Sequence, residues 1–226
     1  MEEGQSNHLM EPRFEKEYSE RIVEGARRAL IDIMQVLASF GECLVLVGGW
    51  VPELLIPNTE EPHIGSIDVD LALNTEKLMD GRYAQMLEHL LNTKRYRQSE
   101  KNFQLQTEVD LKDGGEPILV DIDFMGAADA DTEKNKPKDA YDICYCLMNY
   151  AGGIPELAKA WKKRLNAGLK ETKLATEYLR EKFQSVNAYG TQQVVEFHNS
   201  NNPEEQEIQA RHSYELVRTF LEQVEQ

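Results

Sequence analysis

CLVLVGGWVPELLIPNTEEPHIGSIDVDLAL, residues 43 to 73, is the stretch on which the reading of the fold turns. Cys43 to Val47 is wholly apolar, which predicts a central strand buried on both faces. Gly48-Gly49 stops it. Trp50 to Ile56 then predicts a short helix, with Pro52 near its start and Pro57 past its end. After a polar loop, Ile67-Asp68-Val69-Asp70-Leu71-Ala72-Leu73 alternates with a period of two. Side chains two apart in a strand share a face, so Ile67, Val69, Leu71 and Leu73 point one way and Asp68 and Asp70 the other. Two carboxylates roughly 7 Å apart at their Cα atoms repel unless a cation sits between them, and a hard divalent ion does this best.

Asp-x-Asp alone is equally the solvated face of an amphipathic strand. The preceding strand-Gly-Gly-helix adds a second feature. Glycines let backbone approach a ligand closely, and a helix N-terminus offers N–H groups and a positive dipole end to phosphate. A phosphate cradle followed by a metal-holding carboxylate pair outlines a nucleoside triphosphate site.

Working outward, Phe14 to Ala38 has helical period in Tyr18, Ile22, Ala26, Ala29, Ile33 and Leu37, and Gly41 ends it. Asn74 is placed to cap a helix from Thr75 to Leu91. Residues 103 to 111 and 118 to 124 both alternate and are joined across Asp113-Gly114-Gly115, which predicts a hairpin. Its second strand puts Ile118, Val120, Ile122 and Phe124 on one face, and Leu119, Asp121, Asp123 and Met125 on the other. A Gly- and Asp-rich connection, Gly126 to Asn135, leads to a helix over 136 to 150. There Ala140, Ile143, Cys144, Leu147 and Met148 share one side; Lys138, Asp142, Tyr145 and Asn149 share the opposite, exposed one. A basic helix is predicted from Pro155 through Phe183, a short strand at Gln193 to Phe197, and a final helix from Pro203 to Val224. Ile208, Tyr214, Leu216, Val217 and Phe220 supply the apolar side of that last helix.

Gly48-Gly49 followed by Ser66 and Asp68-x-Asp70 resembles the signature of the polymerase-β-type nucleotidyltransferase superfamily. Within it, the chain most resembles the AbiEii-type nucleotidyltransferases, toxins of type IV toxin–antitoxin and abortive-infection systems. The resemblance spans roughly residues 40 to 165. It implies metal-dependent transfer of a nucleotide from a triphosphate to an acceptor, RNA (tRNA among them) or a protein hydroxyl. Asp68 and Asp70 would bind Mg²⁺ with a third carboxylate. Asp121 is preferred for that place because it follows the short apolar run Leu119-Val120; Asp123 is the alternative. Gly48, Gly49 and Ser66 would hold the triphosphate. Lys138-Asp139-Ala140-Tyr141-Asp142 matches a Lys-Asp-x-x-Asp element of the AbiEii-type enzymes. By that match Lys138 meets the triphosphate, and Asp142 holds Lys138 or a neighbouring group. The pattern departs at Ile64, where an Arg is often found, and in the acidic insertion Asn58 to Pro62.

Hydrophobic content of 41% and charged content of 29% are those of a globular protein. No apolar run approaches the ~18–20 residues that cross a bilayer, which predicts no membrane partner. Met1 to Glu20 is acidic and polar, unlike a signal peptide. Cys43, Cys144 and Cys146 lie in apolar surroundings without ligand spacing, so neither a disulfide framework nor zinc is expected and the cytoplasm is the expected compartment. A net charge of −15 argues against a general nucleic-acid coat. Residues 155 to 184 nevertheless hold eight Lys or Arg against four Glu. That stretch is a solvated helix face or a docking patch for an RNA acceptor or an acidic partner.

Together these readings predict an α/β (α+β) chain in two parts. Residues 1 to 135 form a nucleotidyltransferase-like domain, a small mixed sheet flanked by helices. Residues 136 to 226 form a mainly helical region completing the cleft. The expected activity is Mg²⁺-dependent nucleotidyl transfer, with a cognate antitoxin as a possible partner. Two alternatives stand beside it: a nucleotide- or partner-binding module without turnover, and an enzyme modifying a small molecule such as an antibiotic.

Overall fold

The computed structural model describes residues 13–57, 59–74, 76–79, 81–101, 103–126 and 136–226. The expected helix start at Thr75, Asn58 of the acidic insertion, most of the connection to Asn135 and the first residues of the chain lie outside these. The chain divides into two compact units. One comprises Tyr18–Asn135 with Asn149–Ala151; the other comprises Met1–Glu17, Lys136–Met148 and Gly152–Gln226.

The first unit is a mixed sheet with helices on it. Helix α1 (Glu20–Val36) is capped by the Ser19 hydroxyl, which accepts from the Ile22 N–H at 3.4 Å. A short 3₁₀ stretch leads to β1 (Leu44–Val47), then α2 (Trp50–Leu55) and β2 (Val69–Leu73). Helix α3 (Arg82–Asn92), β3 (Tyr96–Gln98), β4 (Gln104–Val109) and β5 (Ile118–Met125) complete it. The strand order is β1-β2-β5-β4-β3. Only β2 and β5 run parallel; the other neighbours are antiparallel. The mixed α/β class is thus the observed one.

Alternation in β2 and β5 builds the core. Val69, Leu71, Ile118, Val120, Ile122 and Phe124 are buried with Ala26, Ala29 and Ile33 of α1 and Met86 and Leu90 of α3. Each large apolar side chain buried this way contributes roughly 1.5–3 kcal/mol. Helix α1 approaches closely at Gly25, where a Cβ would lie 2.8 Å from Ile118 Cβ. The opposite face of β2, β4 and β5 is polar and carries Asp70, Gln104, Gln106, Asp121 and Asp123.

Two expectations in this unit are corrected. Strand β1 lies at the sheet edge, not its centre, and Val45 is 59% exposed. Apolar content alone does not distinguish an edge strand from a central one. Asn74 caps a turn, its Oδ1 accepting from the Lys77 N–H at 3.2 Å, and α3 starts only after Gly81.

The second unit is helical: α4 (Pro137–Asn149), α5 (Gly153–Asn166), α6 (Lys170–Lys182), α7 (Tyr189–His198) and α8 (Pro203–Glu225). Ala140, Cys144, Leu147, Ala158, Leu179, Phe183, Val194, Val217, Phe220 and Val224 form its core. The predicted single basic helix breaks into α5 and α6 around Gly168, whose φ is +75°. The predicted strand at Gln193 to Phe197 is instead part of α7. Val194 and Phe197, three apart, lie buried on one helical face there, so packing overrides β-propensity. In α8 Val217 and Phe220 are buried as expected, whereas Ile208 is exposed.

Candidate metal centre

The parallel pairing of β2 and β5 sets Asp70 directly beside Asp123. Asp68 sits just before β2. One carboxylate oxygen from each of Asp68, Asp70 and Asp123 lies within 4.8 Å of the others, and all three residues are half-buried. Each charged pair at such a distance costs on the order of 1–4 kcal/mol between water-like and protein-surface dielectric. A divalent cation reverses the sign of that term. An all-carboxylate donor set suits a hard ion such as Mg²⁺, which binds oxygen and takes its remaining ligands from water and phosphate.

Hydrogen bonds hold the Asp68 and Asp123 carboxylates from behind. The Ser66 hydroxyl donates to Asp68 Oδ1 at 2.7 Å. The Trp50 indole N–H donates to the Asp68 carbonyl at 2.6 Å, tying α2 to the start of β2. Gly48 follows Val47, the residue paired with Asp70. Its φ is +72°, and a Cβ there would lie 2.3 Å from Asp70 Oδ2. Only glycine keeps this cradle open. Asp123 Oδ1 accepts from Gln104 Nε2 at 2.9 Å.

The third carboxylate in the cluster is therefore Asp123, where the sequence reading prefers Asp121. Asp121 lies on the same face, but its Oδ1 accepts from Gln106 Nε2 at 2.8 Å and it is not in the group. Gly49 has an ordinary right-handed conformation at the start of α2, a helix of only six residues. Of the pair Gly48-Gly49, it is Gly48 that the carboxylate cluster requires.

No family model matches the chain, and no curated protein matches it in sequence. Among solved structures it is similar to a mutant Cid1 poly(U) polymerase bound to MgATP, at 19% identity over 66% of this chain and a TM-score of 0.34. The match covers 46% of that polymerase chain, so this chain spans under half of its length.

Lys138 and Asp142 lie in the helical unit. Lys138 Nζ donates to both Asp142 oxygens at 2.8 Å, and their side chains are 8% and 14% exposed. The face expected to be solvated is thus buried at Lys138 and Tyr145. Buried charge is tolerated when paired and hydrogen-bonded, as here. Desolvation, with the Asp142 carboxylate nearby, pushes the Cys146 thiol up to about 11. The sequence reading missed Trp50, Gln104 and Gln106. The alternation of residues 103 to 111 already placed both glutamines on one face, but which carboxylates they oppose depends on hairpin register.

Proposed function

We propose that the chain is a Mg²⁺-dependent nucleotidyltransferase that moves a nucleoside monophosphate from a nucleoside triphosphate to an acceptor hydroxyl. The observation that carries this reading is the convergence of Asp68, Asp70 and Asp123 behind Gly48. Asp68, Asp70 and Asp123 would hold the metal. Held there, Mg²⁺ would supply neutralisation of the triphosphate and of its leaving pyrophosphate. Asp123, with one oxygen anchored, would accept the proton of the acceptor hydroxyl as the hydroxyl oxygen bonds to the α-phosphorus and the bond from that phosphorus to pyrophosphate breaks. Backbone N–H groups at Gly48 and Gly49 orient the triphosphate. Ser66 acts through Asp68, to which it donates.

The finer reading rests on the resemblance to AbiEii-type toxins. By it the acceptor is RNA, tRNA among them, or a protein hydroxyl, and a cognate antitoxin silences a cytoplasmic toxin. Among the described residues, no helix is long and apolar enough to cross a membrane.

The test is incubation with each α-labelled triphosphate and Mg²⁺, with total RNA or without. Label should move to RNA or protein in the parent. Asp68→Asn, Asp70→Asn and Asp123→Asn should each abolish transfer, whereas Asp121→Asn should cost 10–100-fold at most. A severe loss at Asp121 with a mild one at Asp123 would return the third place to Asp121. Triphosphate binding without any transfer would make the chain a binding module.

A further inference from the structure

On β4 one glutamine side chain is almost fully enclosed. Gln104 is 2% exposed, and its amide makes two hydrogen bonds of opposite sense. Its Oε1 accepts from the Ser99 hydroxyl at 2.6 Å. Its Nε2 donates to Asp123 Oδ1 at 2.9 Å. The Ser99 Oγ in turn accepts from the Lys101 N–H at 2.9 Å, which leaves its own proton for Gln104. Every donor in this relay points toward Asp123: Lys101 N–H, Ser99 O–H, Gln104 N–H, carboxylate.

That direction has consequences. An amide whose oxygen is occupied by a hydroxyl donor presents only N–H to Asp123, so the partner must be an acceptor. One named oxygen of Asp123 is thereby held by an enclosed donor that cannot turn its acceptor end toward it. The neighbouring bond from Gln106 to Asp121 has no comparable enclosure, since Gln106 is half-buried. Two aspartates two residues apart on one strand thus differ in how firmly they are held.

We infer that Gln104, backed by Ser99, is a positioning residue that holds Asp123 in register with Asp68 and Asp70 for a divalent cation. This rests on the proposed metal-dependent reading and adds to it the element that sets one ligand's orientation. Partners that orient ligating carboxylates typically carry 10–100-fold of metal affinity.

The experiment is titration of the full chain with Mn²⁺ alone, free ion being read by electron paramagnetic resonance. Variants are Gln104→Met, Ser99→Ala, Gln106→Met and Asp123→Asn. Methionine keeps the shape of the buried glutamine and removes both bonds, and metal-free melting temperature and circular dichroism check that each variant folds. Gln104→Met should weaken Mn²⁺ binding 10–100-fold, Ser99→Ala should weaken it by a smaller factor, and Gln106→Met should stay within about threefold of the parent. Parent-like affinity in Gln104→Met, or an equal loss in Gln106→Met, overturns the inference. Should Gln104→Met fail to fold, parent-like affinity in Ser99→Ala overturns it. If Asp123→Asn loses Mn²⁺ while Gln104→Met keeps it, the metal reading stands and only the positioning role falls. If the parent binds no Mn²⁺, both fall.

Discussion

Gly48 is where backbone conformation and site chemistry meet. Its left-handed φ costs an L-residue roughly 1–2 kcal/mol, and an added methyl group would enter the space of Asp70 Oδ2. Gly48→Ala should therefore lower the melting temperature and also impair the centre. Differential scanning fluorimetry with and without Mg²⁺ plus triphosphate reads both effects; the ligand-induced rise should vanish. A variant that melts lower but keeps the full rise would show that Gly48 matters only for backbone shape. At this scale the sequence was informative about sidedness. The alternation around Asp68, Asp70, Asp121 and Asp123 put all four on polar faces, because period two is a local property. It was silent on register. Whether Asp121 or Asp123 stands beside Asp70 depends on pairing between strands some fifty residues apart, which no local pattern encodes.

Among the elements, the hairpin of β4 and β5 and helices α1, α4 and α8 were legible, since their periodicity or capping residues dominate. The edge position of β1 and the helical α7 were not, because both are set by neighbours distant in sequence. The lysines of α5 belong to this scale. Lys159, Lys162 and Lys163 line a groove of about 800 Å³ with Asn166, Thr219 and Gln223 of the same unit. If RNA is the acceptor, replacing Lys162, Lys163 and Arg164 together by Ala should weaken RNA affinity and flatten its salt dependence, by roughly one unit of slope for each phosphate left without its cation. Filter binding across a salt series measures this. An unchanged slope would make the stretch a solvated helix face.

For the whole molecule, stability and ligand binding report on different units. In the helical unit, desolvation pushes the Cys144 thiol up to about 12 and the Cys146 thiol up to about 11, from 9.0. A thiol whose folded pKa is raised favours the folded state fully below its unfolded value, and that contribution is lost as pH rises toward the folded one. The thiol contribution to the melting temperature should therefore be constant below about pH 9 and be lost between about pH 9 and 12. Cys146→Ser should fall less steeply, and an identical slope would contradict the burial argument. The central claim concerns the sheet unit, and one measurement reaches it directly: isothermal titration of a non-hydrolysable nucleoside triphosphate into the parent and Asp70→Asn, each with Mg²⁺ and with EDTA. The account predicts saturable binding by the parent that requires Mg²⁺ and disappears in Asp70→Asn. Binding that is indifferent to Mg²⁺, or that survives unchanged in Asp70→Asn, would contradict it.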